Sequence, residues 1–262
     1  MNANNNIYTK LTKCFILGLT SFLVTHEAGA GDGISSAEIV GYHKQDLVSG
    51  NFNTGGISFL PCDAGKTTFD LNKDIVFENL TPGEGNGDGD EIQVWNPATS
   101  GYTYFYYYDD GEESGWYGLH DETPELEAGT AFWYLSPVKT AAPKSTVVSG
   151  TVEMEPSVTD VITSGNFNML ISAYPDKIEL NNTNSVEFAN LTPGEGNGDG
   201  DEVQVWNPKT SGYTYFYYYD DGEEAGWYGL HDEDPVLAAN TAFWFLAQKG
   251  DGKTVTYKNQ TK

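Results

Sequence analysis

A block of 43 residues occurs twice. Leu80 to Glu122 returns as Leu191 to Glu233 at an offset of 111, and 40 of the 43 positions are identical. Whatever backbone the first copy adopts, the second must adopt too, so the chain is read as two units of one kind in tandem. The three differences are Ile92 to Val203, Ala98 to Lys209 and Ser114 to Ala225. The match continues weakly through GTAFWYL, starting at Gly129, and NTAFWFL, starting at Asn240, and SGNFN at Ser49 and Ser164 is an earlier echo at an offset of 115. The segments ahead of Leu80 and Leu191 have drifted apart while the turns and acidic residues inside the block have not. A requirement acting on both copies, whether of folding or of binding, fits this better than recent duplication alone.

Within each copy the apolar residues alternate or run briefly, are rich in Val, Ile, Tyr, Phe and Trp, and are bounded by Gly, Pro, Asn and Asp. Those are strand and turn signals. Strands are expected over 39–43, 51–60, 75–79, 91–95, 102–108, 116–119 and 130–135, and no long helix follows the first thirty residues. The fold class is therefore all-β, with two tandem antiparallel β-sandwich or small β-barrel domains over 31–136 and 149–247. Residues 137–148, with two prolines, Pro137 and Pro143, read as a semi-rigid linker, and 248–262 as a polar C-terminal tail.

The N-terminus carries Lys10 and Lys13, an apolar stretch from Cys14 to Val24, and then Ala28-Gly29-Ala30. Eleven helical residues at about 1.5 Å each span roughly half of a bilayer core, so 1–30 reads as a cleaved secretory signal peptide rather than an anchor. Its removal leaves Cys62 as a lone thiol and no intrachain disulfide, and the protein is expected to be secreted or at the cell surface. All 13 basic residues of the chain are lysines, against 38 acidic ones, for a net charge of −25. Nucleic acid and anionic lipid are poor partners for such a chain, and no membrane insertion is expected after signal removal.

GEGNGDGDE, at Gly83 and again at Gly194, sets oxygen-bearing side chains at alternate positions. Glu84, Asn86, Asp88 and Asp90, with Glu195, Asn197, Asp199 and Asp201, are the candidate metal ligands. Calcium is the candidate cofactor, because hard cations take six to eight oxygens and glycines let the chain curl around them. Two carboxylates held about 5 Å apart at an effective dielectric near 20 repel by roughly 3 kcal/mol unless something cationic lies between them. The spacing departs from an EF-hand at Glu91 and Pro97. A solvated acidic turn is the competing reading.

Tyr102 to Tyr108 holds six aromatics in seven residues, and Tyr213 to Tyr219 repeats it without change. In a strand Tyr102, Tyr104, Tyr106 and Tyr108 share one face, as do Tyr213, Tyr215, Tyr217 and Tyr219, while Phe105 and Tyr107 point the other way. A core needs one face only. The surplus rings must pack on a second sheet, on the other repeat or on a partner, or stay open to stack flat ligands such as sugars. Trp116 and Tyr117, with Trp227 and Tyr228, lie in glycine-flanked segments beside the acidic turns and are added as ligand-binding candidates; Trp95, Phe132 and Trp133 read as core.

No catalytic residues are expected. The carboxylates sit in glycine-rich turns poorly suited to raising one pKa by burial, and His120 and His231 lack a repeated Cys or Ser nucleophile. The succession GYTYFYYYDDG, GWYG and AFWYL resembles that of uncharacterised secreted bacterial β-rich repeat proteins, a resemblance that implies no activity. The expectation is a secreted, non-catalytic tandem-repeat protein that recognises a glycan or cell-surface polymer through its aromatic strands. The alternative is a structural subunit of an extracellular layer or filament, whose partners are copies of itself.

Overall fold

The computed structural model describes residues 39–196 and 198–260, so the expected signal peptide and Asn197 lie outside the described residues. Every strand pairing is antiparallel, and among the described residues there is no helix. In the first half, β1 (Val40–Leu47), β10 (Lys144–Thr151) and β4 (Ile75–Glu78) form a three-stranded sheet in that order. A five-stranded sheet runs β2 (Asn51–Gly56), β9 (Ala131–Ser136), β5 (Glu91–Asn96), β6 (Gly101–Asp109), β7 (Ser114–Gly118), and β3 (Thr68–Asp70) pairs with β8 (Glu125–Glu127) as a ribbon.

The second half repeats this pattern with every strand number raised by ten. Its three-stranded sheet is β11 (Ser157–Val161), β20 (Thr254–Lys258), β14 (Val186–Ala189), and its ribbon is β13 (Ile178–Glu179) with β18 (Val236–Leu237). Its five-stranded sheet is β12 (Phe167–Leu170), β19 (Phe243–Leu246), β15 (Glu202–Asn207), β16 (Gly212–Asp220), β17 (Ala225–Gly229). Among the described residues, no sheet mixes strands from the two halves.

Two boundaries differ from the sequence reading. Lys144–Thr151, placed largely in the linker, is the middle strand of the first three-stranded sheet, and Thr254–Lys258, placed in the tail, is the middle strand of its counterpart. Composition misled because both segments are lysine-bearing and short. Their alternation is nonetheless a strand signal: Val255 and Tyr257 are fully buried, with Thr254, Thr256 and Lys258 between them less so. Cys62 is disulfide-bonded rather than a lone thiol, and its partner falls outside the described residues.

Alternation decides which face of the five-stranded sheet becomes core. Ile92, Phe105, Trp116, Phe132 and Tyr134 point inward and meet Leu47, Ile75 and Val148 of the three-stranded sheet and Phe69 and Leu126 of the ribbon. Val203, Phe216, Trp227, Phe243 and Phe245 do the same in the second half against Val186, Val255 and Tyr257. Each such side chain contributes about 1.5–3 kcal/mol through burial. Trp116 and Trp227, taken from sequence as ligand contacts, are 2% and 3% exposed and belong to these cores, so they are withdrawn from the site. The glycines beside them suggest exposure, but Gly115 instead allows the approach of Asn72, whose Oδ1 accepts the Trp116 backbone N–H at 2.7 Å.

Candidate functional site: the outer aromatic face

The register places a second set of rings on the opposite side of the five-stranded sheet. Trp95 pairs with Tyr102, Gln93 lies between Tyr104 and Trp133, and Tyr106 pairs with Tyr117. The rings touch in sequence along this face: Trp95–Tyr102 at 4.9 Å between centroids, Tyr102–Tyr104 at 5.9 Å, Tyr106–Tyr117 at 6.1 Å and Tyr108–Tyr117 at 6.0 Å. The second half reproduces them through Trp206, Tyr213, Tyr215, Tyr217, Tyr219 and Tyr228. None of these tyrosines is buried, and Tyr117 and Tyr228 are 36% and 37% exposed. All ten tyrosine candidates are thus brought onto two outer faces.

At one end these faces meet each other. Trp133 and Trp244 lie 6.2 Å apart, with Trp95 against Trp244 at 5.9 Å and Trp206 against Trp133 at 5.8 Å. The Trp95 indole N–H donates to the Phe167 carbonyl at 2.7 Å, and the Trp206 N–H donates reciprocally to the Phe52 carbonyl at 2.8 Å. Asn51 donates to the Pro208 carbonyl and the Ser211 hydroxyl, and Asn166 to the Pro97 carbonyl and the Ser100 hydroxyl. Ser100 and Ser211 reach those positions from left-handed turns, φ 52° and 50°. Each of these ring–ring and hydrogen-bond contacts between the halves has a mate with the two halves exchanged, a two-fold relation within one chain. Ala131, Ala242 and Ile171 fill its centre, where a Cβ on Gly56 would come within 2.5 Å of the Ile171 side chain.

Beside this junction the two faces enclose a cleft of about 250 Å³. Trp95, Tyr102 and Trp133 wall it from the first half, and Phe167, Tyr213 and Trp244 from the second, with Gln204 the one amide. Burial pushes the Tyr102 and Tyr213 phenols above the ordinary tyrosine range, and the neighbouring Tyr215 and Tyr102 add to the shift at Tyr213. The junction residues were missed as site residues. The SGNFN echo was their signal, since Asn51 and Asn166 form the clasp and Asn53 and Asn168 brace the preceding turns by accepting the Val48 and Thr163 N–H groups.

The acidic glycine loop is built differently from a cation cage. Asp90 is fully buried and accepts Lys144 Nζ at 2.7 Å on both oxygens, together with the Thr81 N–H at 2.8 Å. Asp201 accepts Lys253 Nζ at 2.6 Å and the Thr192 N–H at 2.9 Å on one oxygen, and the Gln248 N–H at 2.6 Å on the other. Asp88 and Asp199 turn back onto the N–H groups of Glu84 and Glu195, and the Asn86 amide fits with its nitrogen toward Asp88. The Glu84 and Glu195 side chains are exposed. Among the described residues, no three acidic, histidine or cysteine side chains gather where they could hold a metal ion. Alternation had suggested convergence, but the charge that neutralises the aspartate is a lysine more than fifty residues along the chain, in a segment read as linker or tail. The calcium assignment of Asp90 and Asp201 is corrected on this ground.

The loop has a positional role instead. Gly83 donates to the Tyr107 carbonyl and Tyr107 to the Asp90 carbonyl, which lays the loop along β6, with Gly85 against the Tyr106 ring. At the far end Asp110 accepts the N–H groups of Glu112 and Glu113 and the Tyr108 hydroxyl, which holds its carboxyl below the usual range. His120 sits in an exposed turn whose N–H is taken by Glu122, and His231 likewise by Glu233. No family model, curated protein or solved structure matches the chain.

Proposed function

We propose that the protein is an exported, non-catalytic binding protein made of two tandem β-sandwich domains, and that it recognises a neutral glycan or cell-surface polymer through its two tyrosine strips. The observation carrying this reading is the set of half-exposed rings, Tyr104, Tyr106, Tyr108 and Tyr117 with their counterparts, that neither core nor the junction consumes. Tyrosine suits such a surface because it is broad, stiff and carries a hydroxyl. The reciprocal clasp fixes the two strips relative to each other, so a polymer touching both gains by avidity. A net charge of −25 directs the choice toward neutral or cationic polymers.

Binding of the intact chain to immobilised neutral polysaccharides tests this. Tyr117→Ala with Tyr228→Ala should weaken retention at least about tenfold with little change in melting temperature, since both rings are exposed. Wild-type protein that binds no neutral polysaccharide, or a variant that loses stability in step with binding, defeats the reading. Mass that climbs with protein concentration would favour the extracellular-layer subunit instead.

A further inference from the structure

The cleft at the junction differs in chemistry from the strips beyond it. Its wall is six aromatic rings and one amide, with no lysine and no carboxylate among the lining residues. The rings meet at steep angles, 74° for Trp95 with Trp244, 85° for Phe167 with Trp244 and 60° for Trp95 with Tyr102, so they form the sides of a box rather than a flat platform.

Two donors of this box are already used inside the protein. The Trp95 N–H is held by the Phe167 carbonyl. The Gln204 amide donates to the Glu202 carboxylate at 3.0 Å, and that carboxylate, 4% exposed, also takes the Gly198 N–H. What remains for a ligand is chiefly ring surface, with the two phenol hydroxyls and the rest of the Gln204 amide as its few polar groups. A sugar hydroxyl array asks for donors and acceptors together. A quaternary ammonium group asks for neither; it needs ring faces and a negative surround, and aromatic boxes attract such cations through the ring quadrupole.

The surround is supplied twice over. Each copy of the repeated block holds ten acidic residues, the first without any lysine and the second with Lys209 alone, within a chain of net charge −25. Buried Glu202 stands one hydrogen bond behind Gln204. The space, about 250 Å³, is below the roughly 300–1,000 Å³ of sites for drug-sized ligands and suits one compact head group.

We propose that the junction cleft is a cation–π site for a single quaternary ammonium group of the choline type, one per chain, separate from the strips. It goes beyond the polymer-binding reading and does not depend on it. Once seated, the cation bridges rings from both halves, so occupancy should also tighten the junction.

Calorimetric titration of the intact chain with choline, and with its uncharged isostere 3,3-dimethylbutanol, tests the proposal. Choline should saturate at one site, and the isostere should bind at least about tenfold more weakly, because shape and apolar area are matched and only the charge differs. Tyr102→Leu with Tyr213→Leu should lower choline affinity by a similar factor, whereas Tyr117→Ala with Tyr228→Ala should leave it unchanged. Co-sedimentation with phosphatidylcholine vesicles, competed by free choline, would identify a lipid head group as the source; choline binding without sedimentation would identify a soluble or polymer-borne one. Absence of saturable choline binding, equal affinity for the isostere, or equal loss in the Tyr117/Tyr228 variant overturns the proposal. The isostere comparison uses wild-type protein, so it stands even if the leucine variant folds poorly.

Discussion

Replacing Lys144 with methionine keeps the length of the side chain and deletes only the charge that meets Asp90. Both side chains are 0% exposed, and Lys144 Nζ lies 2.7 Å from each Asp90 oxygen and 2.8 Å from Thr81 Oγ1. At 2.7 Å and an effective dielectric near 20 the attraction is about 6 kcal/mol, and it offsets a desolvation cost of several kcal/mol per ion. The pair as a whole is therefore worth little. Removing one member leaves a buried carboxylate without its countercharge, which costs about 3–5 kcal/mol. Lys144→Met should lower stability by that amount in urea unfolding followed by tryptophan fluorescence, and Asp90→Asn with Lys144→Met should recover part of it, the signature of coupling in a double-mutant cycle. Lys253→Met should repeat the result in the second half through Asp201. A loss below about 1 kcal/mol, or recovery of most of the loss on adding millimolar Ca²⁺, would refute the ion-pair account of the loop.

Gly83→Ala should cost about 2–3 kcal/mol, because its Cβ would stand 2.4 Å from the Gly89 nitrogen, whereas Gly111→Ala, at φ 87° with open space around it, should cost only about 1 kcal/mol from backbone strain; thermal unfolding of both variants checks the contrast. Trp95→Phe with Trp206→Phe leaves the Phe167 and Phe52 carbonyls without their indole donors, at about 1–3 kcal/mol each, and should speed protease cleavage in the connection between Thr151 and Ser157. Burial raises the Tyr174 phenol to about 12 and those of Tyr134 and Tyr257 further still. The unfolded chain releases these protons from about pH 10 while the folded one retains them, so their contribution is complete below pH 10 and should fall away between pH 10 and about 12, measured as a falling urea midpoint.

Strand content was legible because period-two patterning and turn residues are local: β5, β6 and β7 and the hairpin turn at Asn96–Gly101 lie where alternation puts them. The outer face was legible for the same reason, since the even-numbered tyrosines could not all enter one core. The lysines of β10 and β20 were not, because their partners are fixed by pairing across 54 and 52 residues and a buried lysine looks the same in sequence as an exposed one. Trp116 and Tyr117 are neighbours on one strand and so had to part company; burial took the first and left the second half-exposed. The loop carboxylates misled because alternate spacing says how far apart side chains are along the chain and nothing of what lies opposite them.

Trp95 on Phe167 and Trp206 on Phe52 form a handshake between near-identical hands. A half from one molecule can take the place of the same half in another without a new contact being invented, so the short segment joining Thr151 to Ser157 is what keeps the embrace within a single polypeptide. Lengthening that tether should let halves of two molecules exchange while the contacts between them stay the same, so the length of the connection, and not the surface it joins, decides whether the handshake closes within one chain.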